Sequence, residues 1–330
     1  AERVTSFNGE VLSFSWSPDG ERLAAIVREE RDSSSAAQEG FGGDEFEVGE
    51  TRPNARLWLV DSHTGEGERV TGAEVHVQAA DWSPEGSRLA LIVSDGAGSN
   101  SAYYHSRLEV LDIESGKREI ISEHASRYAE WSPDGQRILF TYRKVQGPNT
   151  VEAAFTAVIG AGGEDLRLLG GNHLGTVSAP RWHPDGKRLV AIDVEGVRGK
   201  LSYVSIEEDE IEKITDLDIP YYLGNSFDVS GDGKRIVTLK SENTLPPQLW
   251  LVEEKLFFGG PDKLTDHNKW LSERKLPEAN IVEWKSRDGT TIEGVVFTPP
   301  GFDDGRRYPS VVNVHGGPMW AWWHGWHGSW

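Results

Sequence analysis

Short apolar runs broken by polar turns, with no helical periodicity, dominate the chain. One phrase returns five times: FSWSPDGERLAAIV at 14–27, ADWSPEGSRLALIV at 80–93, AEWSPDGQRILFTY at 129–142, PRWHPDGKRLVAID at 180–193 and FDVSGDGKRIVTLK at 227–240. The aligned positions are Trp16, Trp82, Trp131, Trp182 and Val229, spaced by 66, 49, 51 and 47 residues. Apart from the first, these spacings approach the ~40–50 residues of a four-stranded propeller blade. The turn has a mechanical reading. In Pro18-Asp19-Gly20, Pro presets φ for a type I turn, Asp tolerates the bridge region and Gly accepts left-handed geometry. The apolar run after it, such as 88–93, predicts a buried strand.

A second phrase follows each first one: RLWLVDSHTGEGERVT at 56–71, RLEVLDIESGKREIIS at 107–122, FTAVIGAGGEDLRLLG at 155–170, LSYVSIEEDEIEKIT at 201–215 and QLWLVEEKLFFGGPDKLT at 248–265. Each reads as two strands around a polar turn, so the paired phrases predict five complete four-stranded blades over 10–265 and an all-β β-propeller. Glu2-Arg3-Val4-Thr5 repeats Glu68-Arg69-Val70-Thr71, the close of a second phrase. This predicts the last strand of a preceding blade and a ring of six or more; a five-bladed ring closed by the N-terminal strand is the alternative. The long first spacing holds an insertion at 29–54, polar, acidic and Gly-rich, which reads as a surface loop between the second and third strands of its blade. Tyr103 to Ser106 lies in a shorter loop at the equivalent place.

Composition narrows the function. Against 53 Asp plus Glu there are only 34 Lys plus Arg, a net charge of −19. That balance argues against binding nucleic acid or an anionic membrane. Cys is absent, which excludes disulfides, thiolate metal sites and a cysteine nucleophile. No apolar run approaches the ~18 residues of a membrane helix. No basic-then-apolar start resembles a secretory signal, so a cytoplasmic location is the expectation. Trp is abundant at 13, and the Trp residues of the repeats are read as blade-core packing.

The blade pattern stops near 265. The propeller is assigned to 1–270, a connector to 271–280 and the beginning of an α/β-hydrolase domain to 281–330. Residues 281–302 give two strands around Arg287-Asp288-Gly289, and Val311-Val312-Asn313-Val314 reads as an apolar strand running into His315-Gly316-Gly317-Pro318. A strand ending in His-Gly-Gly is the oxyanion-loop signature of α/β-hydrolases. Acyl transfer needs preorganised N–H donors aimed at the developing oxyanion, and glycines let the backbone approach closely.

The WSPDG repeats, the SRDGTTIEGVVFTPPGF lead-in and YPSVVNVHGGP together resemble the prolyl oligopeptidase family of serine peptidases, whose members join a β-propeller to an α/β-hydrolase domain. The HGGP form looks like the acylaminoacyl-peptidase branch. The resemblance implies that Gly317 supplies an oxyanion N–H within a loop that includes Gly316, and that the propeller filters substrates by size. It implies hydrolysis of short peptides by a serine nucleophile, with no metal and no organic cofactor. The partners implied are the peptide substrate and the remainder of the hydrolase domain; a homo-oligomer is compatible with it. Trp320 and Trp322, close behind HGGP, are candidates for lining the substrate pocket. His315, His324 and His327 lack a carboxylate at plausible spacing for a metal site. Glu29-Glu30 imitates the paired glutamates of dipeptidyl peptidases but reads as a solvated loop.

No G-x-S-x-G occurs in the 330 residues. In hydrolase chain order the Ser, Asp and His all follow the oxyanion loop. The expectation is therefore a chain truncated before its nucleophile and inactive alone. The alternative is a TolB-like propeller that serves as a binding scaffold without catalysis.

Overall fold

The computed structural model describes residues 5, 7–29, 53–144, 154–171, 173–220, 226–253, 260–316 and 321–326. Residues 2–4 and most of the 29–54 insertion lie outside them. The chain folds as two compact units, 1–168 and 169–330.

The first unit starts with an antiparallel sheet in the order β1 (Gly9–Trp16), β2 (Arg22–Glu29), β3 (Ala55–Asp61), β4 (Gly67–Arg69). The 29–54 insertion therefore leaves from the second strand and returns to the third, as its sequence position predicts. Next come β5 (His76–Trp82), β6 (Arg88–Ser94), β7 (Ser106–Asp112), β8 (Arg118–Trp131), β9 (Arg137–Tyr142), β10 (Phe155–Gly160) and β11 (Arg167–Leu169), hydrogen-bonded in sequence order as one seven-stranded sheet. The sequence predicts two separate four-stranded arrays there. They fuse because β8 is continuous: Ala125 still faces Ser106 of β7, and Ser126 already faces Thr141 of β9. Residues 123–128 (EHASRY) contain neither Gly nor Pro to break the extended backbone. The predicted loop at 103–106 also differs. A short helix, α1 (Ser99–Tyr104), fills it, and the Ser106 hydroxyl donates to Ala102 O at 2.7 Å.

The second unit holds β12 (Thr176–Trp182), β13 (Arg188–Glu195), β14 (Arg198–Ser205) and β15 (Ile211–Lys213) in one four-stranded sheet. A second comprises β16 (Phe227–Val229), β17 (Arg235–Glu242), β18 (Leu245–Glu253) and β19 (Asp262–Lys263). The hairpin β20 (Glu278–Lys285) with β21 (Thr291–Thr298) follows. Its first strand starts three residues earlier than the sequence predicts.

The strands β2, β6 and β13, each second in its repeat, are buried on both faces. On β6, Leu89, Leu91 and Val93 pack with Ala24, Ile26 and Leu57 of the preceding sheet, while Ala90 and Ile92 pack with Ile138, Phe140 and Ala157 of the following array. In the second unit Val190 and Ile192 meet Phe227, Ile236 and Val252 in the same way. Each such side chain contributes about 1.5–3 kcal/mol on burial, so face-to-face stacking of sheets supplies the core.

The recurrent turn is built from Ser and Asp as much as from Pro and Gly. Ser17 Oγ donates to Asp19 Oδ1 (2.5 Å) and accepts from Arg22 N (2.9 Å); Gly20 takes φ of 76°. Ser132 with Asp134 and Ser230 with Asp232 repeat the pattern. At each junction between successive repeats within the first unit an Arg closes the stack. Arg22 lies over the Trp82 ring (5.2 Å) and donates to Gly86 O; Arg88 lies over Trp131 (4.6 Å) and donates to Gly135 O. The boundary between the two sheets of the second unit lacks the indole, having Val229 at that position. There His183 Nε2 donates to Gly233 O at 3.2 Å, and Arg188 turns onto Tyr203 (3.9 Å). The imidazole approaches so closely that a Cβ on Gly233 would sit 2.5 Å from Nε2.

Trp82, Trp131 and Trp182 are buried, at 6%, 4% and 6% exposure, as packing residues should be. Trp16 corrects that expectation: it is 54% exposed, and Phe14 beside it is exposed too. Among the described residues of its unit, no sheet stacks on the β1 side to bring an Arg over it.

Replacing Arg88 by Ala removes a cation–π contact and a charge-assisted hydrogen bond at once. It should cost about 1–2 kcal/mol in urea unfolding, and Arg88→Lys should recover part of this. The turn carboxylates set the acid response. Chiefly through the Ser17 and Ser230 hydroxyls, Asp19 and Asp232 sit below the usual carboxylate range, and Asp288, bonded by Ser286, falls to about 2. For Asp134, burial opposes the shift most strongly, but the Ser132 hydroxyl and the Gln136 amide outweigh it. A lowered folded-state pKa gives stability that is complete above the ordinary value near 3.8 and disappears as pH falls toward 2. The urea midpoint should therefore drop between pH 4 and pH 2, and Asp134→Asn should make that drop shallower.

Candidate functional site

The tail of the chain grows out of the second unit. A 3-10 turn, Lys269–Glu273, buries Leu271 and leads into the β20–β21 hairpin. That hairpin closes as the sequence predicts: Ser286 N donates to Thr290 O at 2.9 Å, and Gly289 takes φ of 89°. Beyond it, Phe302 N donates to Pro299 O, and the Phe302 ring packs on Tyr308 at 5.0 Å.

The predicted strand 311–314 belongs to no ladder of the described residues. Val311, Val312 and Val314 are 94%, 85% and 80% exposed. Its apolar pattern suits a strand buried on both faces, and no strand among the described residues pairs with it. His315 and Gly316 follow, likewise outside any ladder, with His315 Nδ1 3.0 Å from Gly316 O. Gly317 and Trp320, two of the four predicted site residues, lie outside the described residues, as does His327. Trp322 is half-buried; its indole N–H donates to Asn313 O at 3.1 Å, tying the chain after His-Gly-Gly back to the chain before it.

The chain then meets the sheets. His324 N donates to Val197 O (2.7 Å) in the turn between β13 and β14, and Trp326 N donates to Ser241 Oγ (2.9 Å) on β17. Val197 N in turn donates to Glu293 Oε1 of β21 at 3.2 Å, so the same turn holds the lead-in hairpin. Gly196 makes this possible. It takes φ of 54°, and a Cβ there would lie 2.4 Å from the Glu293 carboxylate.

Two further features escaped sequence reading. His173 Nε2 lies 2.5 Å from Asp193 Oδ1 and 3.6 Å from Glu195 Oε1. Among the described residues these three gather potential metal-ligand atoms within 4.8 Å of one another. Their separation along the chain hides the grouping, which depends on β12 pairing with β13. The second is an open cleft of about 550 Å³ lined by Thr215, Asp216, Asp218, Lys240 and Glu242. Its carboxylates are paired: Asp216 with Lys213, Asp218 with Lys200 and Glu242 with Lys240. Chiefly through the Lys213 bond, Asp216 is held below the usual carboxylate range. No helix of the described residues is long and apolar enough to cross a membrane.

Gly196→Ala should strain the backbone and displace Glu293, costing about 1–2 kcal/mol. Hydrogen exchange should then rise in β20–β21 while β6 and β9 keep their protection.

No family model matches the chain. It is 26% identical over 254 residues to dipeptidyl-peptidase 5 of Porphyromonas gingivalis, covering 72% of this chain and 34% of that protein. The crystal structure of dipeptidyl peptidase 4 from the same species superposes with a TM-score of 0.66 at 13% identity, over 96% of this chain and 46% of that one. A puromycin hydrolase structure gives 0.65 at 15% identity, over 96% and 48%. The chain thus spans about a third of the curated relative and about half of each solved structure. The likeness establishes a propeller-like all-β fold, which recurs in oligogalacturonate lyase structures as well (TM-scores of 0.56 and 0.57 at 15% and 17% identity).

Proposed function

We propose that the protein is a serine peptidase of the acylaminoacyl-peptidase or oligopeptidase type, in which the sheets form a propeller of six or more blades and residues 281–330 begin the α/β-hydrolase domain. The observation that carries this is the placement of His315-Gly316-Gly317-Pro318. It follows a lead-in hairpin, at the end of an apolar segment that no ladder of the described residues absorbs. A propeller alone has no use for such a segment; a hydrolase sheet does. The peptidase names of the relatives support the same class. The uncovered face of β1 around Trp16 supports a further blade in the ring.

In this mechanism a serine contributed by the whole protein attacks the peptide carbonyl. A histidine takes the serine proton and passes it to the leaving amine, and the Gly317 N–H holds the oxyanion together with the amide after the serine. Gly316 lets the loop approach the substrate, Trp320 and Trp322 line the pocket, and the propeller excludes folded proteins. Short peptides are the substrates, the rest of the hydrolase domain is the partner, and the cytoplasm is the location. The 330 residues contain no G-x-S-x-G, so residues 1–330 alone should not turn over substrate.

The test uses the whole protein with acetyl-aminoacyl and free dipeptidyl p-nitroanilides. Turnover of the acetylated substrate is the expected result; release only from the free dipeptide would move the enzyme to the dipeptidyl-peptidase class, and turnover of neither would leave a binding scaffold. Gly317→Pro should lower kcat by about 10²–10³ in a folded variant. An unchanged kcat would remove Gly317 from the mechanism.

A further inference from the structure

We infer that His324 is a positioning residue: it latches the segment behind the His-Gly-Gly turn onto two hairpins of the second unit, so that these sheets set where the turn lies. The role in catalysis rests on the peptidase function proposed above; the latch itself stands on geometry.

His324 is held on three sides. Its backbone N–H donates to Val197 O at 2.7 Å, in the β13–β14 turn. Asn243, in the β17–β18 turn, donates from Nδ2 to His324 Nε2 at 2.8 Å and to Ala279 O of β20 at 3.4 Å. With Nε2 accepting, the ring proton belongs on Nδ1, which faces Asp218 Oδ2 at 3.7 Å. Asp218 is itself fixed by Lys200 (2.7 Å) and Arg198 (3.2 Å). The next two residues extend the grip. Gly325 packs so closely that a Cβ there would lie 3.2 Å from both Ser241 Oγ and Trp323 Cδ1, and Trp326 N takes the Ser241 hydroxyl as acceptor. Ser241 is available because the β17–β18 register shifts between Lys240 and Glu242. Opposite that shift stand Pro246 and Pro247, which have no N–H to give to a ladder. Trp323 is buried beside the latch, whereas Val311 to Val314 upstream are exposed.

His315 and Gly316 therefore lie in the chain between two points fixed to the sheets, the β20–β21 hairpin before them and His324–Trp326 after them. The Trp322–Asn313 bond spans the stretch between. An oxyanion donor must hold its position to a fraction of an ångström, and a 1 Å displacement costs about a hundredfold in rate. The hairpins of the propeller are on this view part of the catalytic framework as well as a filter.

The experiment uses the whole protein with His324→Ala, His324→Gln and Asn243→Ala. Hydrogen exchange of peptides covering 310–326 reads the latch directly, and kcat and KM on a p-nitrophenyl acyl ester read its consequence. The expected result for His324→Ala is exchange at least about tenfold faster in 310–326, with β13 and β17 unchanged. Its kcat should be about 10–100-fold lower with KM within about twofold. His324→Gln, which keeps a polar end for Asn243, should recover part of both. Unchanged exchange in His324→Ala would overturn the latch, and faster exchange with unchanged kcat would overturn the positioning role. Should His324→Ala fail to fold, Asn243→Ala, which removes only the hairpin side of the contact, decides by the same criteria. If the wild-type protein hydrolyses no ester or peptide, the peptidase function fails and exchange alone decides the latch: acceleration supports it, no change overturns it.

Discussion

Burial of one strand on two faces is the constraint from which the rest of the molecule follows. A β-strand presents alternate side chains to opposite sides, and β6 spends both sets on neighbours, Leu89, Leu91 and Val93 one way, Ala90 and Ile92 the other. Such a strand has no polar face, so its sheet must be sandwiched to be stable. This is why the repeat is rich in continuous apolar runs, and why polar residues concentrate in the turns. The Arg over the neighbouring Trp then registers one repeat against the next, joining a cation, an indole face and a glycine carbonyl at a single point.

That arrangement also explains the location of the candidate site. Stacked sheets leave their hairpin tips as the irregular part of the surface, where backbone groups are unpaired. Val197 and Asn243 both sit on such tips, and both engage His324. Gly196 opens the first tip and the register shift near Ser241 frees a hydroxyl at the second. The sheets thus offer a rigid base while their connections provide the contacts.

Much of the fold was legible because its signals are local. Pro, Asp and Gly act within a few residues of one another, and the apolar runs beside them need no partner to be recognised, so the hairpins of each repeat could be placed. What was illegible depends on distance. His324 and Asn243 are 81 residues apart, and Trp326 and Ser241 are 85 apart; nothing in their neighbourhoods announces the pairing. The continuity of β8 was missed for a different reason: a missing breaker is a weaker signal than a present one. A repeat implies equivalent surroundings and so predicts a core position for Trp16, yet no sheet among the described residues of its unit covers it. Residues 311–314 show the same limit, since an apolar run encodes a readiness to pair but does not supply the second strand.

The exchange at His183 bears on how freely these modules could be shuffled. At the two junctions of the first unit the contact to the neighbouring glycine carbonyl comes from a guanidinium resting on an indole. At this seam an imidazole makes it, the arginine has moved to Tyr203, and the indole position carries valine. Three residues in two modules, His183, Tyr203 and Val229, therefore differ together from the pattern of the first unit, while Arg188 keeps its identity and takes a new partner. A chimera assembled by copying one module into every slot would bring together incompatible halves of two different fasteners, so the module on one side of a seam limits which can stand on the other.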